Sequence, residues 1–172
     1  SEEIDLLDPI ALKKMPKNPD LVIYLAAQTD TAKKDHKVND VGVKNFIQAL
    51  SLSKNTHIIY IGTMVNVVGR ADCTIPVDEN TPAYPTNQYT RTKMAGEKYL
   101  IEQCKKQKFR LTILTPNTIY GKNVRPNSLL DILKTGIFNR SILVRINWPG
   151  KAALIHVNDV VKAILAAINH KP

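Results

Sequence analysis

An α/β fold, with a parallel sheet covered by helices on both faces, is predicted by three features of the sequence. Short continuous apolar runs alternate with longer segments whose apolar residues recur at helical spacing. Strand, helix, strand, helix in this rhythm requires crossover connections, which place parallel strands in the middle of a sandwich of helices. Small or ladder-breaking residues follow the runs, at Ala26-Ala27, Gly62-Thr63 and Thr115-Pro116-Asn117. With 172 residues, 44% of them hydrophobic, the chain is long enough for one compact domain with a core.

The first residues, Ile4-Asp5-Leu6-Leu7, read as a strand end. A helix follows, with Asp8 as N-cap and Pro9 at the first helical position, so the chain opens inside a βα unit. Residues 21–26, Leu-Val-Ile-Tyr-Leu-Ala, follow a Pro-Asp turn and fit a strand buried on both faces. From 38 to 53, Val38, Val41, Phe46, Ile47 and Leu50 suit a helix, and residues 57–61 make the next buried strand, ended by Gly62. A long polar connection carrying Pro76, Pro82 and Pro85 leads to a helix capped by Thr86 or Asn87 and running to about residue 106. Residues 110–115 form a strand stopped by Pro116. After an irregular stretch come a helix from about Ser128 to Thr135, a short strand near Ile142-Leu143-Val144 and a strand end at Leu154-Ile155-His156. Asn158 or Asp159 starts a last helix to about Ile168.

The net charge of +9 favours anionic partners such as nucleotides and nucleotide sugars. The basic residues are scattered, and the densest spots, Lys33-Lys34 and Lys105-Lys106, read as solvated faces beside helices. No basic-aromatic interleaving supports nucleic-acid binding. There is no apolar run long enough to cross a bilayer, and none is expected to meet a membrane. Cys73 and Cys104 have neither disulfide framework nor metal-ligand spacing, which suits a reducing, cytoplasmic setting. His36, His57 and His170 show no ligand spacing, so no metal is expected; His156 reads as a structural histidine at a strand end.

The chemistry concentrates in Asn87-Gln88-Tyr89-Thr90-Arg91-Thr92-Lys93. Four residues apart on a helix, Tyr89 and Lys93 share one face, so an ammonium can lie near a phenol. A free tyrosine titrates near 10, and bringing it near neutrality takes about 4 kcal/mol of preference for the phenolate, within reach of a nearby cation in a partly dry site. With six tyrosines in a lysine-rich chain, the pair alone is weak evidence. Its weight comes from topology. In parallel α/β sheets ligands bind at the carboxyl ends of the strands, where Ala27, Thr63, Pro116 and Asn117 fall.

Taken together, these residues resemble the extended short-chain dehydrogenase/reductase family, particularly its NAD-dependent nucleotide-sugar epimerase/dehydratase branch. Asp5-Leu6 with Asp8-Pro9 resembles the family's adenine-contacting third-strand motif, and residues 22–27 its V-I-H-L-A-A strand under the cofactor. Asn39-Asp40-Val41-Gly42 is similar to N-V-x-G, whose asparagine is structural. Pro76 to Pro82 is similar to P-x-x-E-x-x-P ahead of Tyr-x-x-x-Lys, here Tyr89 and Lys93. Pro116 with Ile119-Tyr120-Gly121 resembles R-P-x-x-V-Y-G, and residues 155–160 resemble I-H-V-D-D-V. The resemblance implies a Rossmann-type sheet with Tyr89 as acid/base, Lys93 on the nicotinamide ribose and Thr63 orienting the substrate hydroxyl. It implies NAD or NADP contacts from Asp5, Leu6, Ala26, Ala27, Lys93, Pro116 and Asn117. A nucleotide sugar would be the substrate. Apart from the resemblance, Arg125 in Asn123-Val124-Arg125-Pro126 reads either as a contact for a substrate phosphate or as a solvated loop arginine, and a homodimer is one assembly. Hydride transfer through a keto intermediate needs this set, because the carbinol hydroxyl must lose its proton as hydride leaves. A carbonyl reductase on a non-sugar substrate and a non-catalytic relative are the alternatives.

Three departures matter. None of the seven glycines makes the family's G-x-x-G-x-x-G phosphate turn. Against the family pattern, residues 1–172 are therefore a Rossmann domain incomplete at its N-terminal side, a fragment or truncated relative expected to bind the dinucleotide weakly, with 122–157 beginning the substrate-binding region. Counting from the strand puts Thr63 in the hydroxyl position, whereas counting back from Gly69 puts Met64 there. Finally, Met64-Val65 stand where the family's dehydratases carry Asp-Glu, which disfavours elimination of water.

Overall fold

The computed structural model describes residues 3–64, 77–124, 126, 128–139 and 153–170. The expected strand near Ile142-Leu143-Val144 and the residues Cys73, Gly69, Pro76 and Arg125 lie outside them. Three strands, β1 (Leu21–Tyr24), β2 (His57–Ile61) and β3 (Arg110–Leu114), form a parallel sheet in the order β1-β2-β3. Register is set by Tyr24 opposite Tyr60 and Ile61 opposite Leu114. The helices are α1 (Val41–Ala49), α2 (Gln88–Gln107), α3 (Leu129–Phe138) and α4 (Val157–Asn169).

Side chains alternate across β2, so Ile58 and Tyr60 face one way and Ile59 the other, and all three are fully buried. The first face packs with Tyr24 against Val43, Phe46 and Ile47 of α1 and Leu100 of α2, forming the main core. Each such aliphatic side chain contributes about 1.5–3 kcal/mol by leaving water. On the opposite side α4 packs against β2 and β3, so helices do cover both faces of the centre.

Several expectations change. Among the described residues the parallel strands form two sheets rather than one: β4 (Thr118–Tyr120) and β5 (Leu154–His156) pair in parallel apart from the other three. Pro116 brings no N–H to a ladder, β3 ends before it, and α4 bridges the two sheets. The irregular stretch after β3 therefore contains a strand. β1 is buried on one face only; Leu21, Ile23 and Leu25 remain 40%, 41% and 63% exposed because no described helix covers that side of an edge strand. Residues 4–7 form a turn rather than a strand end, closed by Asp5 Oδ1 accepting from Leu7 N at 2.8 Å, and the helix after Asp8 is a single 3₁₀ turn, Ala11–Lys14. Asp8 does accept from the Ile10 N–H at 2.8 Å, but its carboxylate is not the helix N-cap.

The other boundaries move by a few residues. α1 begins only at Val41, capped by Asp40 and preceded by a 3₁₀ turn, Lys37–Asn39. α3 runs to Phe138 behind a Ser128 cap, and α4 starts at Val157 with His156 as its cap.

Candidate active site

The Tyr89 helix starts on a reciprocal cap. Asn87 Oδ1 accepts from Thr90 N at 2.9 Å and Thr90 Oγ1 accepts from Asn87 N at 3.1 Å, satisfying two end groups that the helix itself cannot. Tyr89 sits in this first turn, and the turn is tied to the loop after β1 through Asn39. The Asn39 amide accepts from Gln28 N at 2.8 Å, donates to Gln28 O at 3.0 Å and reaches Thr92 Oγ1 at 3.4 Å. Asn39 is 1% exposed, so both halves of its amide are used up in fixing that loop. The His36 ring, also buried, lies 5.9 Å from the Tyr89 ring and has its nitrogens against the carbonyls of Gln28 and Lys33.

Lys93 projects from α2 onto the end of β2. Its Nζ donates to Ile61 O at 2.7 Å and lies 4.3 Å from the centroid of the Tyr60 ring. The side chain is 3% exposed. Burial lowers its pKa from 10.5 to about 8, against an opposing pull from the Glu97 carboxylate. Burial in turn raises Glu97 above 4.5 and the Tyr60 phenol above 10.

A cavity of about 610 Å³ opens at the carboxyl end of the three-stranded sheet. Tyr89, Lys93, Thr63, Ala27, Pro116 and Asn117 all line it, so six of the residues singled out in the sequence converge on one space. Thr63 is 8% exposed and belongs to the wall, whereas Met64 does not. Ala26 is exposed and outside the wall. Asp5 and Leu6 are not part of it either: Asp5 closes its own turn, and Leu6 packs against the core while its carbonyl accepts from Asn45. Arg125 lies outside the described residues, though Asn123 and Val124 border the cavity. The far wall comes from β4 and α4, through residues such as Tyr120, Val157 and Val161.

Sequence reasoning missed the contributions of Tyr60, Glu97 and β4. Glu97 carried a readable signal, since it stands four residues after Lys93 as Lys93 stands four after Tyr89. His156 is structural, as its strand-end position suggests: its Nδ1 accepts from Asn158 N at 3.2 Å and its ring meets Tyr120 edge-on at 5.1 Å. Among the described residues no group of three or more His, Cys, Asp or Glu is placed to hold a metal ion, and no helix is long and apolar enough to cross a membrane.

An ammonium has three donors, and Lys93 gives one to Ile61 O, which leaves two that can meet a ribose diol in the cavity. The donor set therefore fits the nicotinamide-ribose half of a dinucleotide. A pyrophosphate has no glycine-rich turn to receive it in this sequence.

The parallel sheet, its covering helices and a ligand-sized cavity at the strand carboxyl ends define an α/β protein of the Rossmann type. Over residues 1–172 the chain matches the NAD dependent epimerase/dehydratase family, and it belongs to that family. Among curated relatives it is 33% identical over 107 residues to the dTDP-4-dehydrorhamnose reductase of Mycolicibacterium smegmatis, covering 59% of this chain and 32% of that one. It is 25% identical over 156 residues to the human dTDP-D-glucose 4,6-dehydratase, covering 87% of this chain and 44% of the relative. The chain thus spans less than half the length of either. Among solved structures, that of RMD from Pseudomonas aeruginosa complexed with NADPH has a TM-score of 0.84 at 22% identity, covering 98% of this chain and 62% of the other. The Thermus thermophilus UDP-glucose 4-epimerase complexed with NAD has a TM-score of 0.75 at 20% identity, covering 98% and 60%. At these identities the two structures speak for the fold.

Proposed function

We propose that this chain carries the acid/base and ribose-binding part of an NAD(P)-dependent site that exchanges hydrogen at a carbinol carbon of a nucleotide sugar, as an epimerase or an oxidoreductase. The observation that carries this reading is the convergence of Tyr89, Lys93 and Thr63 on one cavity. Bound there, the nicotinamide supplies the acceptor and donor of hydride. Tyr89 takes the proton from the carbinol hydroxyl, or returns it to the carbonyl oxygen. Lys93 holds the ribose and favours the phenolate through its charge. Thr63 orients the same hydroxyl, Ala27, Pro116 and Asn117 bound the nicotinamide side, and the substrate-binding region begins within 122–157.

Loss of water is not part of the reading. β-Elimination needs a general acid at the neighbouring carbon, and Met64 and Val65 offer none. One-way reduction of a keto sugar is the second reading, favoured by the similarity to a dTDP-4-dehydrorhamnose reductase.

The test joins the chain to a glycine-rich first βαβ unit of the family and follows nucleotide sugars by proton NMR. Tyr89→Phe is expected to cut kcat by at least about 10²-fold, the lower range for a positioned acid/base, with little change in cofactor affinity. Turnover equal to the parent chimera would remove Tyr89 from the mechanism.

A further inference from the structure

Glu97 is a partly buried acid to which the catalytic reading gives no task. It stands one helical turn beyond Lys93 on α2, on the face turned to the end of β2. Its carboxylate is pressed against the strand end: a β-carbon added at Gly62 would lie 3.0 Å from Glu97 Oε2 and 2.9 Å from Thr115 Cγ2. Gly62 directly follows Ile61, whose carbonyl receives the Lys93 ammonium, and directly precedes Thr63. A residue without a side chain at 62 is what lets a carboxylate approach this corner.

We propose that Glu97 is a positioning residue for Lys93: its carboxylate, seated against Gly62, compensates the buried ammonium and keeps it directed at the strand end beside the cavity. The proposal rests on the catalytic reading of Tyr89 and Lys93. The ammonium meets one carbonyl and one aromatic face, neither of which carries a full negative charge, and among the described residues Glu97, seated at Gly62 next to that carbonyl, is the acid whose charge opposes the loss of its proton. In a poorly hydrated corner such a pair interacts far more strongly than it would on an exposed helix. The other groups facing this corner are the Tyr60 phenol and, through it, Tyr24 and Tyr89. Burial raises the Tyr24 and Tyr60 phenols above their ordinary value of 10, so neither carries charge near neutrality to offset that of Glu97.

The experiment is a pH titration of the chain itself, labelled with lysine carrying ¹³C at Cε and read by NMR, with the Lys93 signal assigned by its loss in Lys93→Arg. In the parent chain Lys93 is expected to titrate well below the other lysines. In Glu97→Gln its midpoint is expected to fall further, by about one pH unit. Gly62→Ala, which crowds the carboxylate out without removing it, is expected to shift the midpoint the same way by less. This second variant covers the case in which Glu97→Gln fails to fold, as judged by circular dichroism. A Lys93 midpoint unmoved in the folded variants would overturn the proposal. The titration needs no turnover, so it stands or falls separately from the test on Tyr89.

Discussion

At the scale of single residues, the decisive fact is that Lys93 is buried and still a base. Its pKa is lowered from 10.5 to about 8. Between those values the unfolded chain keeps a proton that the folded chain has lost, so this group's contribution to stability rises with pH from about 8 toward 10.5. Tyr24 and Tyr60 act in the opposite sense. Burial raises both above 10, so above that pH the unfolded chain releases protons that the folded one retains, and stability falls. We therefore expect the urea midpoint to rise between about pH 8 and 9.5, and the rise to disappear in Lys93→Met. A parallel rise in that variant would show that another group carries it. Lys93 was legible as one half of a helical pair with Tyr89. Its acceptor at Ile61 and its seat on Tyr60 were not, because spacing along a chain says nothing about which strand a helix will meet.

At the scale of elements, the site depends on how α2 is held. Gly96 faces the start of α1 so closely that an added β-carbon would overlap the Asn39 carbonyl oxygen, which is main chain and cannot turn aside. Gly96→Ala should push α2 off, disturb the Asn39 clamp on Gln28 and cost roughly 2–4 kcal/mol by chemical denaturation. A cost below about 0.5 kcal/mol would mean that the two helices are not locked at this point. The cap is a milder lever. Asn87→Ala should cost about 1 kcal/mol and, because Tyr89 lies in the turn that frays, lower kcat in the active chimera more than it raises KM. The element pattern was largely readable: β2 and β5 fall where the apolar runs put them, and α2 is one residue longer than its caps implied. β4 was hidden, since three residues after a proline carry too little pattern to mark a strand. The exposed face of β1 was hidden too, because a continuous apolar run states that a strand can be covered on both sides, not that a described partner covers it.

At the scale of the whole molecule, Tyr89, Lys93 and Thr63 meet at the carboxyl end of the three-stranded sheet, in a sequence without a glycine-rich phosphate turn. The order of several individually weak motifs made the family legible. The separation of β4 and β5 into their own sheet was not, since it follows from a long-range pairing that no local pattern encodes. The central claim, that this corner serves a nicotinamide dinucleotide, is tested most directly by isothermal titration of NAD⁺ and NADP⁺ into two proteins: the chain itself, and the chain joined to a glycine-rich first βαβ unit. We expect no measurable heat from the chain alone, binding of one dinucleotide by the joined protein with micromolar Kd, and at least about tenfold weaker binding in joined Lys93→Met. A folded joined protein that binds neither dinucleotide, or whose affinity ignores the loss of Lys93, would contradict it.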